Sequence, residues 1–310
     1  MSGMADARET ANEALPRRSY RSGVRLAVGQ FLGNRVAAVG FVCLALICLA
    51  AVFAPLVAPY DPIQIKLSDK LVPPSAQHWL GTDYFGRDVL SRIIWGGQVS
   101  LSVGLLVVGF TMLFGVPIGV VAGFVGGRVD NLLMRLMDAF LTFPPLLLGV
   151  AIVGLLGATI ENVMIALGVV QVPVLARIVR ASTLSAREET YVAAARALGA
   201  GPLRITVQHI LRNILSPIVV QLTIIFAAAV IAEASLSFLG LGTQPPQPSW
   251  GRDLAEARRY MEDAPWLFLA PTGVIMVCVL SINFIGDGLR DALDPRSWQT
   301  RGRAPRSKEG

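Results

Sequence analysis

Residues 191–212 read YVAAARALGAGPLRITVQHILR, and this basic segment between two apolar runs decides how the chain is organised. Apolar residues recur at helical spacing on both sides of the glycine pair Gly199 and Gly201, which ends the first helix. Pro202 then suits the first turn of a second helix. The segment is too charged for lipid, so we predict a helical hairpin outside the membrane where another protein docks. An interfacial hairpin without a partner is the alternative.

The rest of the chain is strongly apolar, since 54% of its 310 residues are hydrophobic and 15% are charged. This composition is typical of a polytopic membrane protein and excludes an ordinary soluble domain. Most of the apolar runs approach the roughly 20 residues that cross the hydrocarbon layer, and the fourth, with about fifteen, needs flanking residues. We predict six spans, at 36–58, 101–125, 139–160, 163–176, 214–232 and 264–286.

The distribution of lysine and arginine predicts the orientation of these spans. If the N-terminus is inside, 20 of the 27 basic residues fall on inside segments and 7 on outside segments. Cytoplasmic segments of membrane proteins carry the excess of basic residues, so both termini and the hairpin are expected in the cytoplasm. The net charge of +6 then reflects topology, and no nucleic-acid partner is expected.

The remaining residue types exclude several kinds of chemistry. The leader 1–35 and the apolar run after it are both too long for a cleavable signal peptide, so that run is expected to remain as a span. All three cysteines lie in predicted spans, and His78 and His209 fall on opposite sides of the membrane. We therefore expect no disulfide framework, no metal site and no catalytic triad.

Two segments are predicted on the outer side. The first, HWLGTDYFGRDVLSRIIWGGQVSL at 78–101, contains an amphipathic helix that is expected along the outer face. It either has a docking role or is an interfacial helix that only leads into the second span. The second, SFLGLGTQPPQPSWG at 237–251, carries three prolines that interrupt a helix before it restarts near Asp253.

Together these motifs resemble, in order along residues 35–296, the C-type permease subunit of the dipeptide, oligopeptide and nickel ABC importers. Two further stretches contribute, DAFLTFPPLLLG at 138–149 and GDGLRDALDP at 286–295. The hairpin is similar to the coupling loop of such permeases, whose pattern is Glu-Ala-Ala, three residues, Gly, and later Ile-Leu. Ala193, Arg212 and Gln98 depart from the family's glutamate, proline and arginine, so no charged role is carried over to Ala193 or Gln98.

The resemblance implies an all-α polytopic membrane protein with six spans and the type I ABC importer permease fold, in the inner membrane of a prokaryote. It would form half of a translocation path for peptides, either dipeptides or oligopeptides, and nickel or another small solute is the alternative substrate. Its partners would be a homologous second permease, two ABC ATPase subunits and an extracytoplasmic binding protein. The chain has no Gly-rich GKS/T loop, so it is expected to be no enzyme and to bind no cofactor. The ATPase partners would bind ATP and Mg.

The same resemblance implies which residues couple the chain to the ATPases. The ATPase-coupling residues would be Ala193, Ala194, Ala195, Gly199, Ile210 and Leu211. Polar residues inside spans are tolerated mainly where they face protein or water, so Gln171 and Glu233 are candidates for lining the path. An interhelical hydrogen bond is the alternative for Gln171. Gly115, Gly119 and Gly123 form a stripe that favours helix packing within this subunit over contact with the second permease.

The motifs predict four parts of the chain. They are a cytoplasmic leader 1–35, a first span with an outer segment 36–99, a core permease domain 100–290 with the coupling loop 178–212, and a cytoplasmic tail 291–310. Two other functions stay open from the residues alone. A secondary transporter needs membrane-buried ionisable groups, and only Glu233 qualifies. A membrane scaffold or receptor would not require two outer segments and a hairpin.

Overall fold

A computed structural model describes residues 29–31 and 33–293. Most of the predicted leader 1–35 and of the predicted tail 291–310 therefore lies outside the described residues. Within the described part, nine helices of eight or more residues make up the architecture. They are α1 Arg35–Val52, α2 Val89–Val125, α3 Gly127–Leu141, α4 Pro145–Leu156, α5 Ile160–Arg187, α6 Thr190–Ala197, α7 Leu215–Phe238, α8 Trp250–Ala257 and α9 Trp266–Leu293.

Five of these helices, α1, α2, α5, α7 and α9, are long and apolar enough to cross a membrane. The pair α3 and α4 passes the same test together and bends by 88° at a short break. Counted as one span, this pair makes the total six, so the predicted all-α polytopic fold is confirmed. The division into four parts along the chain stays a prediction.

The first span is shorter than predicted. We expected one helix over 36–58, but α1 ends at Val52 and a separate turn follows at Ala54–Val57. Pro55 explains the break, because proline has no backbone N–H and its ring clashes with the carbonyl one turn earlier in a continuous helix.

The second span is longer than predicted, because the expected outer helix is part of it. Helix α2 begins at Val89 with Asp88 as its N-cap and continues for 37 residues. Ser91, Arg92 and Ile93 are buried in its first turns, so this part packs into the protein and does not lie along the outer face. The helix therefore leads directly into the second span, and a docking role for this outer segment stays a prediction.

The third span is not one straight helix. The predicted span 139–160 carries Pro144 and Pro145, and the helix is interrupted there, because α3 stops at Leu141 and α4 starts at Pro145. Pro144 adopts an extended conformation, with ψ at 130°, because the residue before a proline is excluded from helical geometry. The pair of prolines thus converts the predicted span into a bent pair of helices.

The fourth span was the weakest by hydropathy and is the most enclosed in the structure. Helix α5 covers 28 residues, and more than half of its most apolar window is buried against the other helices. A helix that packs on protein along most of its length needs less continuous apolar sequence than one that faces lipid. Burial therefore explains why hydropathy underestimated its length.

Helix α2 packs against α5 along the predicted glycine stripe. Gly115 faces Leu175, Gly119 faces Val179 and Gly123 faces Thr183, so the two rows match at a spacing of four residues. A side chain on any of these glycines would meet α5 at 3.1 Å or less. The stripe therefore packs within this subunit, as predicted.

This contact predicts the effect of adding one methyl group. In Gly119→Ala the new Cβ would lie 2.5 Å from the Ala176 carbonyl oxygen, so α2 and α5 must separate, at a cost of about 1–3 kcal/mol. Gly109→Ala is the matched control on the same helix, since no atom lies within 4 Å of its added Cβ. We expect a lower Tm in detergent for Gly119→Ala only. Equal Tm values for the two variants would show that the contact is not as close as described.

Candidate functional site

The hairpin begins with α6 and turns at Gly199. The backbone of Gly199 has a φ of +81°, which glycine adopts easily and other residues rarely do. The Ala200 N–H donates to the Ala195 carbonyl at 3.0 Å, and the Gly199 N–H donates to the Arg196 carbonyl at 2.9 Å. These two bonds satisfy carbonyls at the helix end that would otherwise have no partner. The predicted glycine stop is confirmed.

The second arm of the hairpin is less regular than predicted. It begins at Pro202–Arg204, widens into a π-helical turn at Ile205–Ile210 and ends at Leu211–Asn213. Such turns are rare and occur mostly as single insertions in α-helices, often at functional sites. A hydropathy pattern does not distinguish this turn from an ordinary α-helix.

The structure divides the predicted coupling residues into two groups. Ala195 and Ile210 are buried in the same hydrophobic cluster as Val179 of α5, and Leu211 packs against this cluster. Ala193, Ala194 and Gly199 are exposed. The first group holds the hairpin on the bundle, and only the second is open to another protein in this structure. Their role in coupling stays a prediction.

Two exposed leucines were not among the predicted site residues. Leu198 is 88% exposed and Leu203 is 78% exposed, one on each side of the glycine turn. Their helical spacing predicted only that they belong to helices. What distinguishes Leu198 and Leu203 from the other apolar residues of the pattern is their position at the tip of the hairpin, where no other helix that the structure describes covers them.

Arginines of α5 connect the hairpin end of this helix to its neighbours. Arg180 donates two hydrogen bonds to the carboxylate of Asp130 on α3, one of them at 2.6 Å. Arg187 donates to the carbonyls of Gly123 and Phe124 at 3.3 and 3.2 Å, at the C-terminal end of α2. A cation there also complements the partial negative charge of the helix end. A displacement of the hairpin would therefore reach both α2 and α3.

Glu233 lies inside the bundle and has no exposed surface. Its carboxylate accepts a hydrogen bond from Ser100 of α2 at 3.0 Å and another from Ser237 of α7 at 2.7 Å. Ser100 also accepts the backbone N–H of Trp250 at 3.4 Å, which attaches α8 to the same group. Glu233 thus joins three helices and faces no open space here, and its role in a path stays a prediction.

Gln171 lies on α5 and is partly buried. Its side chain makes no hydrogen bond to any residue that the structure describes, so the alternative interhelical bond is not present in this conformation. A polar group with free hydrogen-bonding capacity suits contact with water or substrate. Whether Gln171 lines the path stays a prediction.

A buried cluster of charges lies at the end of the bundle opposite the hairpin. Arg92 donates to Asp253 on α8, and Arg87 donates to Asp83 at 2.5 Å and to Glu256 at 2.7 Å. Burial raises the pKa of Asp253, although Arg92 opposes the shift. Burial alone would also raise the pKa of Glu256, but Arg87 and Arg92 outweigh it and hold that pKa below its usual range. This cluster could not be predicted from the sequence, because Arg87 and Arg92 pair with residues 169 and 161 positions away in the chain.

A metal ion in a protein requires several ligand side chains held close together. In the part of the chain that the structure describes, no group of three or more histidine, cysteine, aspartate or glutamate residues is arranged to hold a metal ion. What the described residues provide is a bundle of spans with a hairpin at one end. That is the architecture of a polytopic α-helical membrane protein.

Solved structures support this class. Two crystal forms of the inward-facing MetNI methionine ABC transporter match with TM-scores of 0.53 and 0.56 at 21% and 19% sequence identity. The matches cover 64% and 66% of this chain and 94% and 96% of the other chains. Because the identity is low, they show the fold alone, which is that of an ABC importer permease.

Sequence comparison defines the family. The model described as "Binding-protein-dependent transport system inner membrane component" matches residues 115–299. A second, "N-terminal TM domain of oligopeptide transport permease C", matches residues 22–74. The chain therefore belongs to the family of binding-protein-dependent transport system inner membrane components. It is a multi-pass permease component of an ABC importer and not an enzyme.

Curated relatives cover most of the chain. A dipeptide transport system permease protein DppC from Alkalihalophilus pseudofirmus is 44% identical over 88% of this chain and 90% of its own length. A di/tripeptide transport system permease protein DppC from Pseudomonas aeruginosa is 45% identical over 86% and 90%. A glutathione transport system permease protein GsiD from Pectobacterium atrosepticum is 41% identical over 86% and 89%. The resemblance to C-type peptide permeases is confirmed.

The bonds of Glu233 predict how it tolerates substitution. Glu233→Gln keeps an oxygen acceptor between the two serines, so we expect a Tm near that of the wild type. Glu233→Leu leaves the buried hydroxyls of Ser100 and Ser237 without this partner, which costs about 1–3 kcal/mol. Thermal unfolding in detergent measures the Tm of both variants. Glu161→Leu, which replaces an exposed glutamate, is the control.

A double-mutant cycle then separates these bonds from other effects of the substitution. Ser100→Ala should lower the Tm in the wild-type chain and lower it less in Glu233→Leu, where Ser100 has only the Trp250 N–H left to lose. Additive effects of the two substitutions would show that Ser100 and Glu233 do not interact.

Proposed function

We propose that the chain forms half of a translocation path for dipeptides or oligopeptides, which an extracytoplasmic binding protein delivers. The support is the substrate class in the names of relatives that are 41–45% identical over most of the chain, which are dipeptide, di/tripeptide and glutathione permeases. Each of these cargoes is a small peptide. A homologous second permease would supply the other half of the path.

The observation that carries the proposed mechanism is the hairpin tip. Leu198 and Leu203 expose apolar surface outside the spans, while Ala195 and Ile210 hold the hairpin on the bundle. Apolar surface at a protruding tip is costly in water unless a partner covers it. Two ABC ATPase subunits, which bind ATP and Mg, are the proposed partners, and the tip would dock on one of them.

The position of the hairpin also allows it to transmit a movement of the ATPases to the spans. It connects α5 directly to α7, and the Arg180 and Arg187 contacts join it to α3 and α2. ATPases that bind the inward-open and outward-open states with different affinities would shift the balance between those states. The force would enter at Gly199 and its neighbours and act on α5 and α7 as rigid helices.

The proposed orientation places both termini and the hairpin in the cytoplasm of a prokaryote. The distribution of the 27 basic residues supports it, because six of them lie between Arg177 and Arg212 on the segment that contains the hairpin. The buried cluster at Arg87 and Arg92 would then face the extracytoplasmic side, where the binding protein docks.

Cysteine labelling in intact cells tests this orientation. In a background without the three native cysteines, Ser75→Cys should react with an impermeant maleimide and Ser185→Cys should be protected. Both positions are exposed on the protein, so accessibility depends only on the side of the membrane. Labelling at position 185 with protection at position 75 would reverse the orientation.

If the hairpin couples the ATPases to the spans, valine at Gly199 and valine at Gly201 should affect ATP hydrolysis differently. In complexes reconstituted with the partners, binding protein loaded with a dipeptide should stimulate ATP hydrolysis. Gly199→Val forces a β-branched residue to a φ of +81°, at a cost of about 1–2 kcal/mol, which is comparable to a coupling free energy. We expect weaker ATPase copurification and a stimulated rate several-fold lower.

Gly201→Val is the matched control, because Gly201 has a φ of −71° and open space around its added Cβ. It adds the same bulk to the turn without backbone strain and should keep most of the stimulation. Wild-type assembly and wild-type stimulated hydrolysis in Gly199→Val would rule out the hairpin as the coupling element. No stimulation by dipeptide-loaded binding protein in the wild type would instead contradict the proposed substrate class.

A further inference from the structure

A cavity of about 610 Å³ lies at the end of the bundle opposite the hairpin. Its walls come from the first turns of α2 and α9, the last turn of α7, and α8 with the turn Arg258–Tyr260 that follows it. These are the points at which three membrane spans end. Because α7 and α9 are long and apolar enough to cross a membrane, a cavity at their ends would lie near the lipid head groups.

One side of the cavity is apolar. It is formed by residues from the ends of the spans, namely Val89, Ile93, Phe238, Leu239, Leu267 and Pro271. Leu239 is more than half exposed, so this wall continues onto the surface of the bundle. Tyr84 stacks on Tyr260 at the rim, with ring centroids 4.8 Å apart, and tyrosine is enriched at the boundary between membrane and water.

The other side of the cavity is charged, and its inner charges are already paired. Asp83 and Glu256 bind Arg87, and Asp253 binds Arg92. Arg258 and Arg259 are different, because both are exposed and neither forms an ion pair with any residue between 33 and 293. The Arg258 guanidinium lies 5.7 Å from the centroid of the Phe238 ring, beside the apolar wall. The cavity therefore offers two uncompensated cations next to a hydrocarbon surface.

We propose that this cavity binds an anionic phospholipid of the leaflet at that end of the bundle. The phosphate would accept hydrogen bonds from Arg258 and Arg259, since guanidinium groups match phosphate oxygens in charge and geometry. The glycerol and the upper acyl chains would lie on Leu239 and Leu267. A soluble anion would satisfy the arginines but would leave the apolar wall exposed.

Such a lipid would contact the elements that Glu233 also joins. Helices α7 and α8 meet at the Glu233 hydrogen bonds, and both contribute walls to the cavity. Bound lipid would therefore favour the packing of α8 described above. This proposal depends on the membrane placement of the chain and not on its substrate.

Native mass spectrometry of the full chain tests the site. The chain, stripped of lipid in detergent, should bind phosphatidylglycerol at one site of high affinity. Arg258→Ala with Arg259→Ala should raise the Kd about tenfold or more, because hydrogen bonds to charged groups are strong. Arg128→Ala with Arg135→Ala removes two exposed arginines from α3, near the hairpin end, and should leave this Kd unchanged.

Ala255→Trp provides an independent variant that leaves every charge in place. Ala255 lines the cavity, so the indole would fill it and should abolish the high-affinity site. Arg258→Lys with Arg259→Lys should recover part of the affinity. Wild-type binding by either the double-alanine variant or Ala255→Trp overturns the proposal. Displacement of the lipid by a dipeptide also overturns it, because the cavity would then be a substrate site.

Discussion

The close packing of α2 on α5 is the contact on which the rest of the structure depends. Three glycines on α2 face Leu175, Val179 and Thr183, so α2 and α5 approach without intervening side chains. Between helices in lipid there is little hydrophobic driving force, and close van der Waals contact supplies much of the association. Because α2 reaches the buried charges at one end and α5 leads to the hairpin at the other, this contact sets the positions of both.

The buried charged side chains of the described bundle lie where other groups bind them. Arg92 and Asp253 pair beyond the membrane-spanning part of α2, Glu233 accepts from two serines, and Arg180 binds Asp130 at the hairpin end. A buried charge without such a partner would cost several kcal/mol. The pairs therefore link helices at defined heights, while the lipid-facing surfaces stay apolar. A movement of the hairpin would therefore act on helices that are linked to one another at both ends of the bundle.

Regular features were predictable from the sequence wherever local chemistry decides the conformation. The glycine turn at Gly199, the glycine stripe of α2 and the number of spans follow from residue type and spacing. Pro144 and Pro145 marked the third span as a candidate for a break, but the size of the bend was not predictable, because hydropathy measures composition and not geometry. The extent of α2 was also misjudged, since Ser91 and Arg92 look like surface residues until their buried partners on distant segments are known.

The sequence by itself determined the membrane-spanning architecture, the family and the position of the hairpin, because apolar length and turn residues act locally. Only the tertiary structure decided that Ala195 and Ile210 hold the hairpin while Leu198 and Leu203 are exposed. It alone also brought Glu233 to Ser100, and Arg92 to Asp253, across more than a hundred residues of chain. Periodicity shows that a residue belongs to a helix, but packing against other helices determines which face is covered.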